Sequence, residues 1–344
     1  MGLDIEGLPQ TSSLDRRATF EGWYRNEEGS FFYKKMKKQV GWQEIEDSPY
    51  HFNEQGLMTR GWLEEDHHYY LCPESGARAQ GWTMIDDKHY YFHPKKGEMI
   101  QSAWITEGDK RYYIKSSGNP AKDLYTVDGV DYYFDERTGE CLLDASKPMI
   151  ALTFDDGPVE NTEELLDFLD ENSVDVSFFL QGKSIPGKED LVKRMQEEGH
   201  TVGNHSYNHP KFTELSEEEI LWQVEETDRL IYEATGSKPI FFRSPYGLTD
   251  KRIESVLARP TILWSVDSED WNGRNADEIH HHLIDKAKDG DIVLMHDTYS
   301  TTIKAIKKTI PLLREREFQF VNMETLFKVK GQKPQGRDVY YYLE

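Results

Sequence analysis

Five short stretches of this chain join ionisable side chains to turn residues. Leu152-Thr153-Phe154-Asp155-Asp156-Gly157-Pro158 ends an apolar run in two carboxylates. His205-Ser206-Tyr207-Asn208-His209 spaces two imidazoles by four positions. Arg243-Ser244-Pro245-Tyr246-Gly247 sets a cation before a constrained turn, and Asp267-Ser268-Glu269-Asp270-Trp271 places carboxylates beside an indole. Leu294-Met295-His296-Asp297 ends another apolar run in an imidazole. These are the side chains of general acid–base chemistry and of metal binding. Adjacent strand residues point to opposite faces, so Asp155 and Asp156 reach one target only if the backbone turns there, as Gly157-Pro158 predicts. His205 and His209 can face one metal ion if their segment makes a helical turn. Taken singly, each stretch has an ordinary reading: an Asp-rich turn, or a chance spacing among 12 histidines.

The elements between them change that reading. From Met149 onward, apolar runs alternate with amphipathic stretches. Strands are expected at 149–154, 176–180, 200–204, 239–243, 261–266, 291–295 and 318–322. Helices are expected at 161–171, 188–198, 216–234, 250–257, 276–288 and 301–316, the third opening on a Ser216/Glu219 capping box. Alternating strands and helices imply a parallel sheet or barrel, which gathers its strand ends in one mouth. Five polar strand ends then form one constellation that core stability does not require. His280-His281-His282 falls within a helical pattern, where consecutive residues cannot share a face, and reads as no metal site. Residues 331–344 form a polar tail, docked by Tyr340, Tyr341 and Tyr342.

Upstream the pattern is a repeat. Trp23, Trp42, Trp62, Trp82 and Trp104 recur at intervals of 19, 20, 20 and 22, the first four after Gly. Aromatic cores such as Tyr69-Tyr70-Leu71 and Tyr90-Tyr91-Phe92 lie between them. A unit this short fits a β-hairpin, and hairpins that small must stack on neighbours, giving an all-β solenoid over 21–143. Residues 1–20 read as a flexible lead-in with no signal peptide.

Composition bounds the partners. The 344 residues carry 41 Lys and Arg against 63 Asp and Glu, a formal charge of -22, which argues against nucleic acid. No run approaches a membrane span of ~20 apolar residues. Cys72 and Cys141 exclude a disulfide framework and leave open one bridge or two thiols. The Lys34-Lys35 and Lys37-Lys38 pairs read as a solvated face that could touch an anionic polymer.

The five stretches resemble, in family order, the motifs of the polysaccharide deacetylases, the family 4 carbohydrate esterases with the NodB-homology fold. The resemblance spans about residues 148–328. It implies a distorted (β/α) barrel over 144–330 and removal of acetyl groups from an N-acetylglucosamine polymer, peptidoglycan first. It implies Asp156, His205 and His209 as ligands of Zn²⁺ or another divalent ion such as Co²⁺. Asp155 is the implied general base, held ionised by Arg243, and the backbone N–H of Tyr246 the implied oxyanion donor. His296 is the implied acid for the leaving amine, paired with Asp270 or, failing that, Asp267, while Trp271 packs on a sugar ring. The upstream units resemble the choline-binding, or cell-wall-binding, repeats of Gram-positive surface proteins. They lack that family's Trp before the Tyr-Tyr pair: Pro49, His68, His89, Arg111 and Asp131 stand there, which weakens a cation cage. The resulting expectation is a secreted or wall-associated, metal-dependent deacetylase held to the bacterial wall by its repeats. The alternatives are a non-catalytic wall-binding or adhesion protein, and a deacetylase of chitin-type oligosaccharides, exopolysaccharide or acetylated xylan.

Overall fold

Strand β1 (Met149–Asp155) is buried along its whole length, as a nearly continuous apolar run requires of a strand covered on both faces. Its alternation sorts the side chains. Ile150, Leu152 and Phe154 join one core cluster with Leu165, Leu169 and Ile306, while Met149 and Ala151 join a second with Phe179, Ile262 and Ile292. Thr153 and Asp155 continue the second face toward the strand's C-terminal tip.

The computed structural model describes residues 21–344, so the lead-in read at 1–20 lies outside the described residues. The chain divides into two compact units. One comprises the described residues up to Tyr125 with Phe134–Leu142, and the other Thr126–Tyr133 with Leu143–Glu344.

In the second unit β1 lies at the centre of a parallel sheet. On one side come β2 (Ser177–Leu180) and β3 (Thr201–Asn204). On the other come β6 (Asp291–His296) and β5 (Val266–Asp267), while β7 (Gln319–Phe320) pairs with the start of β1. The helices between the strands are α1 (Asn161–Glu171), α2 (Glu189–Glu197), α3 (Glu217–Thr235), α4 (Lys251–Leu257), α5 (Ala276–Lys286) and α6 (Ser300–Glu315), with α7 (Met323–Val329) after β7. The Ser216/Glu219 capping box is present at the start of α3. Register brings the chemistry together: Asp155 stands opposite His296 on β6 and opposite Phe179 on β2.

Three expectations are corrected. Residues 239–243 form no strand; only Phe242 bridges, to Asn204 and to Thr261. The run 261–266 is broken into β4 (Thr261–Ile262) and β5, because the carbonyls of Ile262 and Leu263 accept from the Arg243 guanidinium. The tail docks through β8 (Val339–Tyr340), which pairs with β4, and through buried Leu343, while Tyr341 and Tyr342 are about half exposed.

Among the described residues the first unit contains five antiparallel hairpins in succession: Gly22–Asn26 with Gly29–Lys34, Gly41–Ile45 with Ser48–Phe52, Gly61–Glu65 with His68–Cys72, Gly81–Ile85 with Lys88–Phe92, and Ala103–Glu107 with Lys110–Ile114. Two residues close each turn, and pairs such as Glu46-Asp47 and Asp86-Asp87 take the left-handed backbone that matches strand twist. The first four tryptophans each pack on a tyrosine of the following hairpin: Trp23 on Tyr50, Trp42 on Tyr70, Trp62 on Tyr90 and Trp82 on Tyr112, with ring centroids 4.9–5.2 Å apart. No disulfide joins Cys72 and Cys141. No helix among the described residues is long and apolar enough to cross a membrane.

Candidate active site

The two carboxylates of β1 part at its tip. Asp155 keeps its inward direction and is buried. Asp156 takes a left-handed backbone (φ 76°), so the turn falls on Asp156 itself, one residue before the cis Gly157-Pro158 bond. Gly157 must be glycine because a Cβ there would collide with the Asp297 carboxylate. Both aspartates thereby reach one locus: His205 Nε2 lies 3.6 Å from Asp155 Oδ2 and 3.7 Å from Asp156 Oδ1.

Arg243 is fully buried and binds the other side of Asp155. Its Nη1 donates to Asp155 Oδ1 and to Thr153 Oγ1, each at 2.7 Å. Its Nε and Nη2 donate to the carbonyls of Ile262 and Leu263. Four guanidinium hydrogen bonds thus hold the side chain in place and leave Asp155 Oδ2 facing the mouth.

His205 and His209 come together, but not by a helical turn. Residues 205–210 are irregular after β3, and Ser206 and His209 have left-handed backbone. His205 Nδ1 donates to the Arg243 carbonyl at 2.8 Å, which fixes the tautomer and turns the Nε2 lone pair toward Asp156. His209 Nε2 is 4.0 Å from Asp156 Oδ1. Burial and the neighbouring His205 push the His209 pKa down to about 4, so the imidazole is neutral, as a metal ligand must be. Burial alone would raise the Asp156 carboxyl, but His205, His296 and the Gln181 amide outweigh it and hold the group below its ordinary value. The potential ligand atoms of Asp156, His205 and His209 all lie within 4.8 Å of one another. Two imidazoles and a carboxylate in that arrangement fit a divalent transition metal with open positions. Among the described residues this is the single such group; in the His280–His282 run, His280 pairs with Thr309 and His281 with its own helix carbonyl.

Across the mouth, His296 meets Asp270. Asp270 Oδ1 accepts from His296 Nδ1 and from the Trp271 N–H, both at 2.8 Å. Its Oδ2 accepts from the His296 N–H at 2.8 Å and from Thr302 Oγ1 at 2.7 Å. Four donors converge on this one buried carboxylate, and they fix the His296 ring with Nδ1 toward it. Burial alone would lower the His296 pKa, but Asp270, with Asp155 and Asp156, carries it up to about 9. Asp267 does not partner His296; its oxygens accept from the Trp271 indole at 3.2 and 3.4 Å.

The cleft measures about 330 Å³. Tyr246, Trp264, Trp271 and Tyr299 form its aromatic walls, and none of its described lining residues is Lys or Arg. Trp271 is 54% exposed there. Tyr246 has left-handed backbone, and its N–H makes no hydrogen bond within the described residues.

Sequence reading passed over Gln181, Thr302 and Asp297. Gln181 directly follows β2 and donates to Asp156, so the strand-end rule that found the other polar tips marks it too. Thr302 sits inside the first turn of α6, where nothing in the local sequence signals a contact with Asp270. Asp297 lies buried beneath the Asp156-Gly157 turn and accepts from Thr162 Oγ1, and burial pushes its pKa up to about 7.

Comparison with known proteins agrees with this geometry. Residues 143–261 match the family model for polysaccharide deacetylase, residues 40–80 that for a choline-binding repeat and residues 102–119 that for a cell wall binding repeat. The peptidoglycan-N-acetylglucosamine deacetylase PgdA of Listeria monocytogenes is 41% identical over 184 residues, which are 53% of this chain and 40% of that protein. The peptidoglycan-N-acetylmuramic acid deacetylase PdaC of Bacillus subtilis is 36% identical over 192 residues, 56% of this chain and 41% of that protein. The chain therefore spans about 40% of the length of these curated relatives. The solved PdaC structure matches at a TM-score of 0.54 and 36% identity, covering 55% of this chain and 94% of the solved one. A family 4 acetyl xylan esterase from Clostridium thermocellum, solved with a cobalt ion, matches at a TM-score of 0.54 and 29% identity, covering 56% of this chain and 98% of that one. With motifs, register and near-complete coverage of a solved relative in accord, the chain belongs to the polysaccharide deacetylase family and carries choline-binding-type repeats ahead of its deacetylase domain.

Proposed function

We propose that this protein is a metal-dependent hydrolase that removes N-acetyl groups from the N-acetylglucosamine residues of peptidoglycan and releases acetate. The observation that carries the reading is the meeting of three groups in one cleft. These are the Arg243-bound Asp155, the Asp156/His205/His209 donor set and the Asp270-bound His296. Asp156, His205 and His209 would hold a divalent ion. When bound, such an ion lowers the pKa of water and polarises the acetyl carbonyl. Asp155 Oδ2 takes the proton of the attacking water, and the hydrogen bond from Arg243 to Oδ1 keeps that carboxylate aimed. The carbonyl carbon becomes tetrahedral, and its oxyanion accepts from the Tyr246 N–H. His296 Nε2 then gives its proton to the nitrogen as the C–N bond breaks, leaving acetate and a free amine. Trp271 stacks on the sugar, braced by Asp267.

The finer architecture fits the same reading. Phe242 links Asn204 of β3 to Thr261 of β4, which continues the strand series round toward β5 and supports a distorted barrel over residues 144–330. Tryptophan–tyrosine packing between successive hairpins supports a stacked solenoid over 21–143. Those repeats would hold the enzyme on the wall of a secreting cell. Arg78 covers the Trp42 ring and Arg111 the Trp104 ring, so the chain's own cations occupy two faces that a choline cage would need. We read the repeats as binding wall glycan.

The cleft chooses between the two sugars of peptidoglycan. N-acetylmuramic acid carries a lactyl carboxylate, and a lining with Asp155, Asp156 and Asp267 but no Lys or Arg leaves that anion unpaired. Purified protein acting on peptidoglycan is therefore expected to deacetylate N-acetylglucosamine residues and to spare N-acetylmuramic acid, as mass spectrometry of the digested muropeptides will show. Deacetylated muramic acid as the main product would reverse the assignment. No acetate from any glycan in a panel of peptidoglycan, chitin oligosaccharides and acetylated xylan, with metal bound, would leave a wall-binding protein without catalysis.

The acid makes a separate prediction. The reaction needs the imidazolium of His296, so the rate falls on the alkaline side as that group deprotonates. Its pKa of about 9 sets the upper bound of that limb, and a cation bound in the mouth brings it lower. In Asp270→Asn the carboxylate that overcomes burial is gone. The limb of the kcat/KM profile should move to lower pH by at least about one unit, with metal content unchanged. A limb that stays in place would remove Asp270 from this role.

A further inference from the structure

Helix α3 carries a tryptophan that no core explains. Trp222 is 52% exposed, on a helix surface it shares with Glu217, Glu218, Glu219, Glu225 and the exposed Leu221. Among the described residues its aromatic neighbour is Tyr207, edge-on at 5.2 Å, and Tyr207 lies in sequence between the two histidines of the metal-donor set. The residue after Trp222 bolts the helix to that segment. Gln223 Oε1 accepts from the Tyr207 and Asn208 N–H groups at 2.9 and 3.1 Å, and Gln223 Nε2 donates to Asn208 Oδ1 at 2.7 Å. Tyr207 in turn packs against Gly182, where a Cβ would clash with its ring, and Gly182 follows the Gln181 that donates to Asp156. A continuous strip thus runs from Asp156 through Gln181, Gly182 and Tyr207 to Trp222.

Resting on the deacetylase reading, we propose that Trp222 is the platform of an outer glycan subsite, which takes a sugar ring of the same polymer several residues from the reacting acetyl group. An indole face offers the apolar surface that the C–H face of a pyranose covers. Glu218 and Glu225 lie one turn to either side, make no ion pair within the described residues and can accept from sugar hydroxyls. The platform is rigid with respect to His205 and His209 through Gln223, so ring binding there positions the chain over the cleft at little entropic cost. A second copy of this chain is a weaker fit, since like-charged glutamates surround the ring.

The test is the dependence of turnover on substrate length, with intact protein and N-acetylglucosamine oligosaccharides from the disaccharide to the hexasaccharide. Trp222→Ala should lower kcat/KM on the hexasaccharide on the order of tenfold, through KM, and leave the disaccharide unchanged. Trp222→Phe should keep most of the long-chain advantage. Equal losses at both lengths, or none at either, would overturn the subsite. So would a change in sedimentation without a change in length dependence, which would mark the face as a contact between copies. Wild-type protein that releases no acetate at any length would instead overturn the deacetylase reading on which the subsite rests.

Discussion

Asp155→Asn should keep its metal and lose turnover by about 10²–10⁴-fold, the usual worth of a positioned general base. The substitution is nearly isosteric, so the cleft keeps its shape. An amide oxygen still accepts from Arg243 Nη1, but the group that faces His205 and the mouth can no longer take a proton. The same change removes the anion from a buried pair. Breaking such a pair outright costs about 3–5 kcal/mol, so a lower melting temperature is expected alongside the kinetic loss. The two effects separate experimentally: zinc content and the circular-dichroism spectrum report the fold and the donor set, and kcat on an acetylated oligosaccharide reports the base. A folded, zinc-loaded variant with near-normal kcat would make Asp155–Arg243 a structural ion pair and place the base elsewhere.

Asp155 and His205 were legible in the sequence because they sit at strand tips, where an apolar run changes abruptly to ionisable types. Asp155 and His296 could be named before their register was known, and their pairing across β1 and β6 follows from counting to the ends of the two runs. Other parts were not readable locally. The expected strand at 239–243 has the right composition but bridges only at Phe242, because the segment is placed by Arg243 reaching under β1. The same guanidinium takes the carbonyls that would have kept 261–266 one strand. A buried side chain whose donors reach both β1 and the end of β4 is placed by tertiary contacts, and no window of sequence contains that information. The tail is a milder case: Tyr340 and Leu343 dock while Tyr341 and Tyr342 face solvent, because pairing with β4 sets which residues turn inward.

The His205/His209 pair shows the same limit from the other side: the two rings come together beside Asp156, but not through the helical turn that their spacing suggested. The geometry of that loop makes the largest expected loss. His205→Ala and His209→Ala should each abolish stoichiometric metal binding and activity together. With either imidazole gone, two protein ligands remain, and changes to outer-shell groups alone already cost about 10–100-fold in metal affinity. His205 is the more sensitive position. It is buried, its Nδ1 is spent on the Arg243 carbonyl, and removing its ring also opens a void beside Asp155. His209 is more exposed and held by a loop bond to Ser206, so its loss should cost metal with less effect on the apo fold. A readout independent of turnover is available. A ligand that binds only the folded state at 100 times its Kd stabilises by about 2.7 kcal/mol, so zinc or cobalt should raise the melting temperature of the wild type. Neither variant should respond. Two imidazoles and one carboxylate suit several divalent ions, so both metals should restore protein stripped by a chelator. Stoichiometric zinc in both variants, or a melting temperature that still rises with metal, would place the ion on other residues and leave Asp156, His205 and His209 as a partly buried polar cluster without one.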